Sequence, residues 1–311
     1  MLIHACIILR ALRLCAITFM TATGKWFIYV VTVLIWGSTW YAIELQLGVV
    51  HPVVSIAHRF AVAGVVVLVG LSISGRLVRI RWRDQRFLML QGLLLFSGNY
   101  IFIYTGTQTL PSGLVSLVFS MMVITNMVAG RIFMNLPLSW YVGVSGLVGM
   151  AGIALIFTPE VASFSLADES LNAMFLCFIG TCLASLGNIV AARNMRERLP
   201  PLQCNMMGML YGSGSLYLLS LVMGLPITIE WSSQYLGSLF YLSLIGSVAA
   251  FWFYVTLIGE VGPSRAGYIA LLTPLVALVI SAVFEDYQWT WYATAGLVLV
   301  LGGNFIAMRR D

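Results

Sequence analysis

Apolar residues in this chain gather in runs of about twenty residues, separated by short polar segments. An apolar helix needs roughly 20 residues to cross the hydrocarbon core of a bilayer. Several of the short connections contain proline, which suits the first turn of a helix and blocks continuation of the helix before it. The pattern therefore predicts an all-α integral membrane protein. Its ten predicted transmembrane helices are 27–47, 53–73, 87–107, 110–130, 138–157, 171–191, 203–223, 235–258, 263–284 and 289–308.

The ten runs divide into two groups of five, preceded by a short segment. We predict an N-terminal cytoplasmic extension over residues 1–25, a first five-helix unit over 26–158 and a second over 170–308. The apolar stretch at residues 2–9 is too short to span a membrane and lacks the basic start of a signal peptide. Met20 lies just before the first run and is an alternative start to Met1.

The basic residues fall on one side of this topology. With the N-terminus in the cytoplasm, all 16 Lys and Arg except Arg59 lie in cytoplasmic segments, whereas the outer loops carry acidic residues. Cytoplasmic loops of membrane proteins are enriched in Lys and Arg, and one missed span would reverse every later loop. The charges therefore predict that both termini are cytoplasmic. The expected location is a bacterial inner membrane.

The composition agrees with a lipid environment. Hydrophobic residues are 60% of the chain and charged residues 9%, whereas soluble domains carry about 25% charge. The net charge of +5 does not indicate a nucleic-acid partner, because the bases sit in short loops. We expect membrane lipid, including anionic lipid at the bases of 76–86, to be a partner. The five cysteines show no metal-ligand spacing and no Gly-rich phosphate loop is present, so no cofactor is expected.

The two groups of spans resemble each other. YIFIYTGTQTLPSGLVSLVF from Tyr100 and WFYVTLIGEVGPSRAGYIAL from Trp252 both place a Pro-Ser turn between two apolar runs. Because each unit holds five spans, an odd number, the two units must have opposite orientations in the membrane. Inverted repeats are frequent in secondary transporters, which bind the solute near the midplane between the repeats.

Three segments resemble a known family. WGSTWYAIE from Trp36 resembles the first-helix signature of the EamA family of the drug/metabolite transporter superfamily. HPVVSIAHRFAVAG from His51 resembles its second helix, with Arg59 at the expected place. LLTPLVALVISAVFE from Leu271 resembles its fourth-helix pattern as it recurs in the second repeat. The resemblance implies ten helices in two inverted repeats, cytoplasmic termini, and secondary transport of amino acids, other metabolites or drugs, commonly by export.

The first repeat departs from this pattern in two places. It has Met122 where the second repeat has Pro274, and it lacks an acidic residue corresponding to Glu285. The two repeats are therefore not equivalent, and a break in the fourth helix of the first repeat is not expected from its own residues.

Ionisable residues inside spans are costly and usually face a cavity or a partner. Glu44 and Arg59 lie at similar distances on either side of the turn at His51, so antiparallel helices bring them to one depth and predict an ion pair. The pair is either a structural clamp or a contact that responds to solute. His58 is either a packed hydrogen-bonding group or, with Glu44, a proton-coupling group, because histidine titrates near neutral pH.

Uncharged polar residues inside the spans either join helices or line a cavity. Aromatic walls with a few polar groups suit a small organic solute, and one buried cation argues against phosphorylated solutes. Our preferred cavity residues, beside Glu44 and Arg59, are Trp36, Trp40, Asn99, Tyr104 and Tyr268.

A secondary transporter that works by alternating access and exports a small organic solute is the leading interpretation. The alternatives are a membrane-embedded lipid-processing enzyme, which needs a polar catalytic cluster, and a passive channel, which needs repeated polar stripes. Neither pattern is evident in the sequence, and we predict no catalytic residues. The solute, the direction, the coupling ion and the oligomeric state are left open.

Overall fold

The fold is helical throughout the part of the chain that the computed structural model describes. That part comprises residues 22–46, 48–109, 115, 118–137, 140–156, 158, 168–284 and 289–308, and no strand occurs within it. The all-α prediction is therefore confirmed. Numbered in chain order, the long helices are α1 Ala22–Glu44, α2 Pro52–Ile73, α3 Trp82–Thr107, α4 Met122–Met134, α5 Trp140–Ile156, α6 Asp168–Arg196, α7 Pro201–Val222, α8 Ser233–Val261, α9 Ile269–Phe284 and α10 Trp291–Met308. A four-residue helix, Pro263–Ala266, lies between α8 and α9.

Each predicted span overlaps one of these helices. By length and composition alone, five of them (α1, α2, α3, α6 and α8) contain a stretch long and apolar enough to cross a membrane, and α4, α5 and α10 contain shorter apolar stretches. The number of ten membrane crossings remains a prediction.

Several predicted boundaries differ from the structure. Helices α4 and α6 end at Met134 and Arg196, beyond the predicted ends at residues 130 and 191, and α9 begins at Ile269 and not at residue 263.

Helix α3 begins at Trp82, before the predicted start at residue 87, so Arg83 and Arg86 lie on its first turns and not in a loop. The added turns are polar, and Asp84 stabilises them because a carboxylate complements the positive end of the helix dipole. Helix α1 begins at Ala22, inside the predicted extension. The predicted start of the fourth span at residue 110 lies outside the described residues.

Helices α3 and α8 each contain a π-helical segment. The segments are Leu94–Gly98 and Tyr241–Ala249, and they lie at matching places before Pro111 and Pro263. A π segment inserts an extra residue into the helical turn and is frequent at functional sites. In α8 the Ser247 hydroxyl donates to the carbonyl of Leu242, which lies five residues earlier. The π turn thereby fixes the orientation of the Ser247 side chain.

Helix pairs across the two units follow the pattern of a repeat. Helix α2 packs on α7, α5 on α10, α3 on α6, and α1 on α8, while α4 packs on α6 and α9 on α1. Exchanging the first five helices for the second five reproduces the same set of pairs. Two related five-helix units facing each other across a pseudo-twofold axis produce this arrangement.

The α5–α10 pair is held by direct backbone contact. A Cβ built on Gly296 would overlap the carbonyl oxygen of Gly152, and one built on Gly152 would lie 2.7 Å from the carbonyl oxygen of Gly296. A Cβ on Gly303 would lie 2.8 Å from the carbonyl oxygen of Ser145. Only glycine permits this separation, and such close packing is a main source of helix association in lipid.

The α2–α7 pair is not symmetric in its side chains. Arg59 and Gly208 occupy corresponding positions, because each follows the first proline of its helix by the same number of residues. A Cβ on Gly208 would lie 2.9 Å from the ring of Phe96 in the π segment of α3. One unit therefore supplies a guanidinium where the other supplies a glycine packed under an aromatic ring.

Charged and polar contacts join the two units at the end of the bundle that carries the loop of residues 74–81, which we call the arginine-rich end. Arg193 of α6 binds Asp84 of α3 at 2.7 Å, and Lys25 of α1 binds Glu260 of α8 at 2.9 Å. Both salt bridges found among the described residues lie at this end. They link α3 to α6 and α1 to α8, which are contacts between the first and second units.

Beneath these ion pairs lies a buried amide network. The side-chain amide of Asn194 in α6 donates to the Oε1 of Gln91 at 2.8 Å. The side-chain amide of Gln91 donates to the Oδ1 of Asn205 in α7 at 3.1 Å. All three side chains are buried. Gln91 of the first unit therefore bridges two helices of the second unit in a site that water does not reach.

Candidate functional site

Arg59 is the centre of the candidate site. It lies on α2, and its side chain is 1% exposed. Its Nε donates to the hydroxyl of Ser247 at 2.9 Å, and its guanidinium carbon lies 5.2 Å from the ring centroids of both Phe60 and Tyr100. Arginine stacks on aromatic rings in this way, and each stacked contact stabilises the cation.

One nitrogen of this guanidinium makes no hydrogen bond to the described residues. That nitrogen is the buried Nη1 of Arg59. A buried charge that lacks a paired acceptor is expensive, and in a membrane interior it marks a position where a ligand or ion acts.

Arg59 opens onto a cavity of about 80 Å³ between the two units. The walls are mostly aromatic and aliphatic, and no Asp or Glu occurs among the described lining residues. Helices of both units contribute. The lining residues are Trp36, Thr39, Trp40, Ile43, Arg59, Leu95, Asn99, Tyr100, Ile103, Tyr104, Thr107, Phe119, Met122, Ala184, Asn188, Phe251, Tyr254 and Thr273.

Aromatic rings from four helices pack together at the cavity, where Trp36 and Phe251 line the wall and Phe60 and Phe96 lie behind it. The ring of Phe96 packs edge-on against Phe60 and Phe251, with centroids 5.2 and 4.8 Å apart, and Trp36 packs against Phe251 at 5.0 Å. Edge-to-face aromatic packing at these distances is favourable beyond the area it buries. The indole of Trp36 also donates to the carbonyl of Gly246 in the π segment of α8, at 3.2 Å.

The cavity leads away from the arginine-rich end. Helix α3 starts beside the loop of residues 74–81, so its last residues lie at the opposite end of the bundle, and Tyr104 and Thr107 are among them. Ile43, near the end of α1, lies at the same level because α1 runs antiparallel to α2.

The structure brings together most of the residues predicted from the sequence. Trp36, Trp40, Arg59, Asn99 and Tyr104 all line this cavity. Their contact with a solute remains a prediction.

Two predicted residues need separate mention. Tyr268 does not line this cavity, and its hydroxyl donates to the carbonyl of Val142 at 2.8 Å, which ties the start of α9 to α5. Glu44 is the last residue of α1, and its side chain lies outside the described part of the structure. The predicted Glu44–Arg59 ion pair therefore remains a prediction.

His58 lies next to Arg59 in the chain but on another face of α2. Its Nδ1 lies 2.7 Å from the carbonyl of Val54, and its ring packs on Tyr217 of α7 with centroids 5.7 Å apart. It is buried and does not line the cavity.

This placement predicts that His58→Gln leaves the pH dependence of transport unchanged, because glutamine retains a hydrogen-bond donor for Val54. Flux measured across pH 5.5–8.5, a window on either side of the usual histidine pKa of about 6.5, checks this. A flattened profile in the variant, with normal folding, would instead assign proton coupling to His58.

Three contributors were not among the predicted site residues. Ser247 accepts a hydrogen bond from Arg59, and the π turn of α8 orients the Ser247 side chain for this contact. Tyr254 lines the cavity, and its hydroxyl accepts from the Asn188 amide at 2.9 Å. Asn188 also donates to the Oδ1 of Asn126 at 3.1 Å. Asn188 is visible in the sequence as a polar residue in an apolar run, yet nothing in the sequence separates it from residues that only join helices.

No cluster of His, Cys, Asp or Glu in the described residues is able to hold a metal ion.

Comparisons with known proteins cover nearly the whole chain. The model of the EamA-like transporter family matches twice, at residues 24–158 and 171–309. An uncharacterized transporter of Archaeoglobus fulgidus is 25% identical over 92% of this chain and 99% of its own length. The uncharacterized inner membrane transporter YedA of Escherichia coli K12 is 28% identical over 79% of this chain and 78% of its own.

A solved crystal structure shares the fold. It superposes on 94% of this chain and 100% of its own with a TM-score of 0.75, at 17% sequence identity.

Proposed function

Because the chain belongs to the EamA-like transporter family, we propose that it is a secondary transporter that exports a small organic solute across a bacterial inner membrane by alternating access. The observation that carries the proposal is the cavity at Arg59, which lies between the two five-helix units and is lined by both. A solute bound between two repeats becomes accessible to either side of the membrane when the repeats rock against each other.

The distribution of contacts supports a state closed at the arginine-rich end. The salt bridges Asp84–Arg193 and Lys25–Glu260 and the buried Gln91 network all join the two units there. The cavity leads toward the opposite end. With both termini in the cytoplasm, the arginine-rich end is cytoplasmic, and the cavity is directed to the outside.

The lining of the cavity favours an amphipathic solute such as an amino acid or a related metabolite. Aromatic walls accept an apolar group, while Arg59, Asn99 and Asn188 offer a few polar contacts. A single buried cation does not match the charge of a phosphorylated solute.

Counterflow in proteoliposomes tests the transporter proposal. Vesicles containing the purified protein and loaded with unlabelled metabolite should accumulate the labelled form transiently and in a saturable way. The metabolite is chosen from a screen of cells that overproduce the protein. Flux that rises linearly with concentration and shows no counterflow would contradict alternating access and indicate a channel.

Arg59→Ala should lower this flux about tenfold or more, because it removes a charged hydrogen-bond donor from the cavity. Efflux from cells that overproduce the variant, set against the wild type at equal membrane abundance, measures the effect. Unchanged efflux would exclude Arg59 from the transport path.

The proposed Glu44–Arg59 pair is tested by exchanging its charges. A structural clamp is expected to work in either order, so Glu44→Arg combined with Arg59→Glu would restore folding and the original solute preference. A pair that contacts solute would restore folding with an altered preference.

A further inference from the structure

Three buried polar atoms that have no hydrogen-bond partner among the described residues belong to side chains that line the same cavity. They are Nη1 of Arg59, the hydroxyl oxygen of Tyr104 and Oδ1 of Asn188. The three residues are 1%, 2% and 1% exposed. Most buried polar atoms in proteins have partners, so three orphans around one cavity call for an explanation by a ligand.

The Asn188 acceptor is fixed by its neighbours. The Asn126 amide donates to the carbonyl of Pro263 at 2.9 Å, so the Oδ1 of Asn126 faces Asn188 and needs a donor. The Nδ2 of Asn188 supplies that donor at 3.1 Å and also reaches the Tyr254 hydroxyl. The Asn188 amide therefore cannot be reversed, and its Oδ1 remains an acceptor without a donor.

Arg59 and Tyr104 form the complementary part of the site. The Tyr104 hydroxyl lies beside the Arg59 guanidinium, close enough to interact with it but without the geometry of a full hydrogen bond, and Nη1 has no partner among the described residues. The Nε of Arg59 is already bound to Ser247, which holds the guanidinium in place. A cationic donor beside a hydroxyl donor matches the two oxygens of one carboxylate.

The other lining residues indicate the charge and the polarity of the ligand. Arg59 is cationic and no described lining residue is acidic, so the described part of the lining favours an anionic group over a ligand that carries only positive charge. The walls at Trp36, Trp40 and Phe251 are apolar. We propose that the cavity binds a solute with one carboxylate, held by Arg59 and Tyr104, a hydrogen-bond donor held by Oδ1 of Asn188, and an apolar remainder. The inference rests on the proposed transport function and assigns the groups that select its solute.

Binding to the purified full-length protein in detergent tests this assignment with four compounds that share one carbon skeleton. Leucine has both polar groups, 4-methylpentanoate has only the carboxylate, leucinamide has only the ammonium group, and 4-methylpentanamide has neither. The phenylalanine skeleton provides a second set. We expect leucine or phenylalanine to bind tightest, and loss of the carboxylate to weaken binding about 10- to 100-fold.

Variants assign the effect to individual groups. Arg59→Gln should abolish the preference for the carboxylates, while Arg59→Lys should keep part of it and shows that the site is still folded. Tyr104→Phe removes only the hydroxyl, and it should weaken the carboxylates about threefold to tenfold while leaving the amides unchanged. Arg79→Gln, at an exposed loop arginine, is the matched control and should bind like the wild type.

The outcomes separate this inference from the transport proposal. Amides that bind as tightly as the carboxylates, carboxylates that fail to bind, or a preference that survives Arg59→Gln would each overturn the assignment. Counterflow of a solute without a carboxylate would overturn it while transport stands. Selective carboxylate binding without counterflow would support the site and contradict the transporter.

Discussion

Gly296→Leu is expected to destroy the packing of α10 on α5 and to leave little folded protein in the membrane. The leucine Cβ would overlap the Gly152 carbonyl oxygen, and the Ile156 backbone nitrogen would lie 3.0 Å from it. Backbone atoms cannot rotate away as a flexible side chain does, so the helices have to separate. Overpacking costs about 1–3 kcal/mol even where side chains adjust, and we expect a loss above that range.

Gly302→Leu provides the matched control on the same helix. A Cβ at Gly302 meets nothing within 4 Å, so the leucine enters open space. Gel-filtration recovery in detergent and thermal unfolding, compared between the two variants, measure the difference. Equal recovery of both variants would mean that direct backbone contact does not hold α5 and α10 together.

Gln91→Leu is expected to open the arginine-rich end. The substitution keeps the approximate volume of the side chain but leaves the Asn194 amide and the Asn205 carbonyl oxygen without their partner. An orphaned buried polar group costs about 1–3 kcal/mol, and two are orphaned here. Because these hydrogen bonds join the two units at the proposed closed end, we expect the loss to fall on the closed state and to shift the population toward an open one.

Cys204 reports this opening. It is a free and fully buried thiol on α7, next to Asn205. In a protein whose other cysteines are replaced by alanine, maleimide labelling of Cys204 should be about tenfold or more faster in Gln91→Leu than in the parent, since 1.4 kcal/mol corresponds to a factor of ten.

Gln234→Leu makes the same change at an exposed position near the start of α8 and should leave the labelling rate unaltered. If the Gln91 and Gln234 variants label at equal rates, the buried amide network does not hold this end closed.

Residues that stand out from their surroundings were predictable from the sequence. Arg59 is a charge inside an apolar run, and Trp36 belongs to a recognisable helix signature, so both could be named before their neighbours were known. The helices followed in the same way, because a run of about twenty apolar residues has few other folded solutions in lipid. The position that the apolar pattern does not define is where a helix with polar first turns begins, as α3 does at Trp82.

Contacts that depend on helix rotation were not predictable. Ser247 reaches Arg59 because α8 forms a π segment. No residue type within Tyr241–Ala249 predicts that segment from the sequence. Asp84 and Arg193 read as topology signals in the sequence, although the fold makes them an ion pair between units. Tyr268 was predicted to line the cavity, but its hydroxyl donates to the backbone carbonyl of Val142 instead.

Because Arg59 of the first unit corresponds to Gly208 of the second, the two units do not contribute equally to the cavity. Two copies of the first five-helix unit, assembled in opposite orientations, would place a second guanidinium against the Phe96 ring that now covers Gly208. A symmetric dimer of identical five-helix units therefore carries either two such guanidiniums or none. Because the two units of this chain differ in sequence, one unit alone supplies the cation at this position, and the binding site is asymmetric.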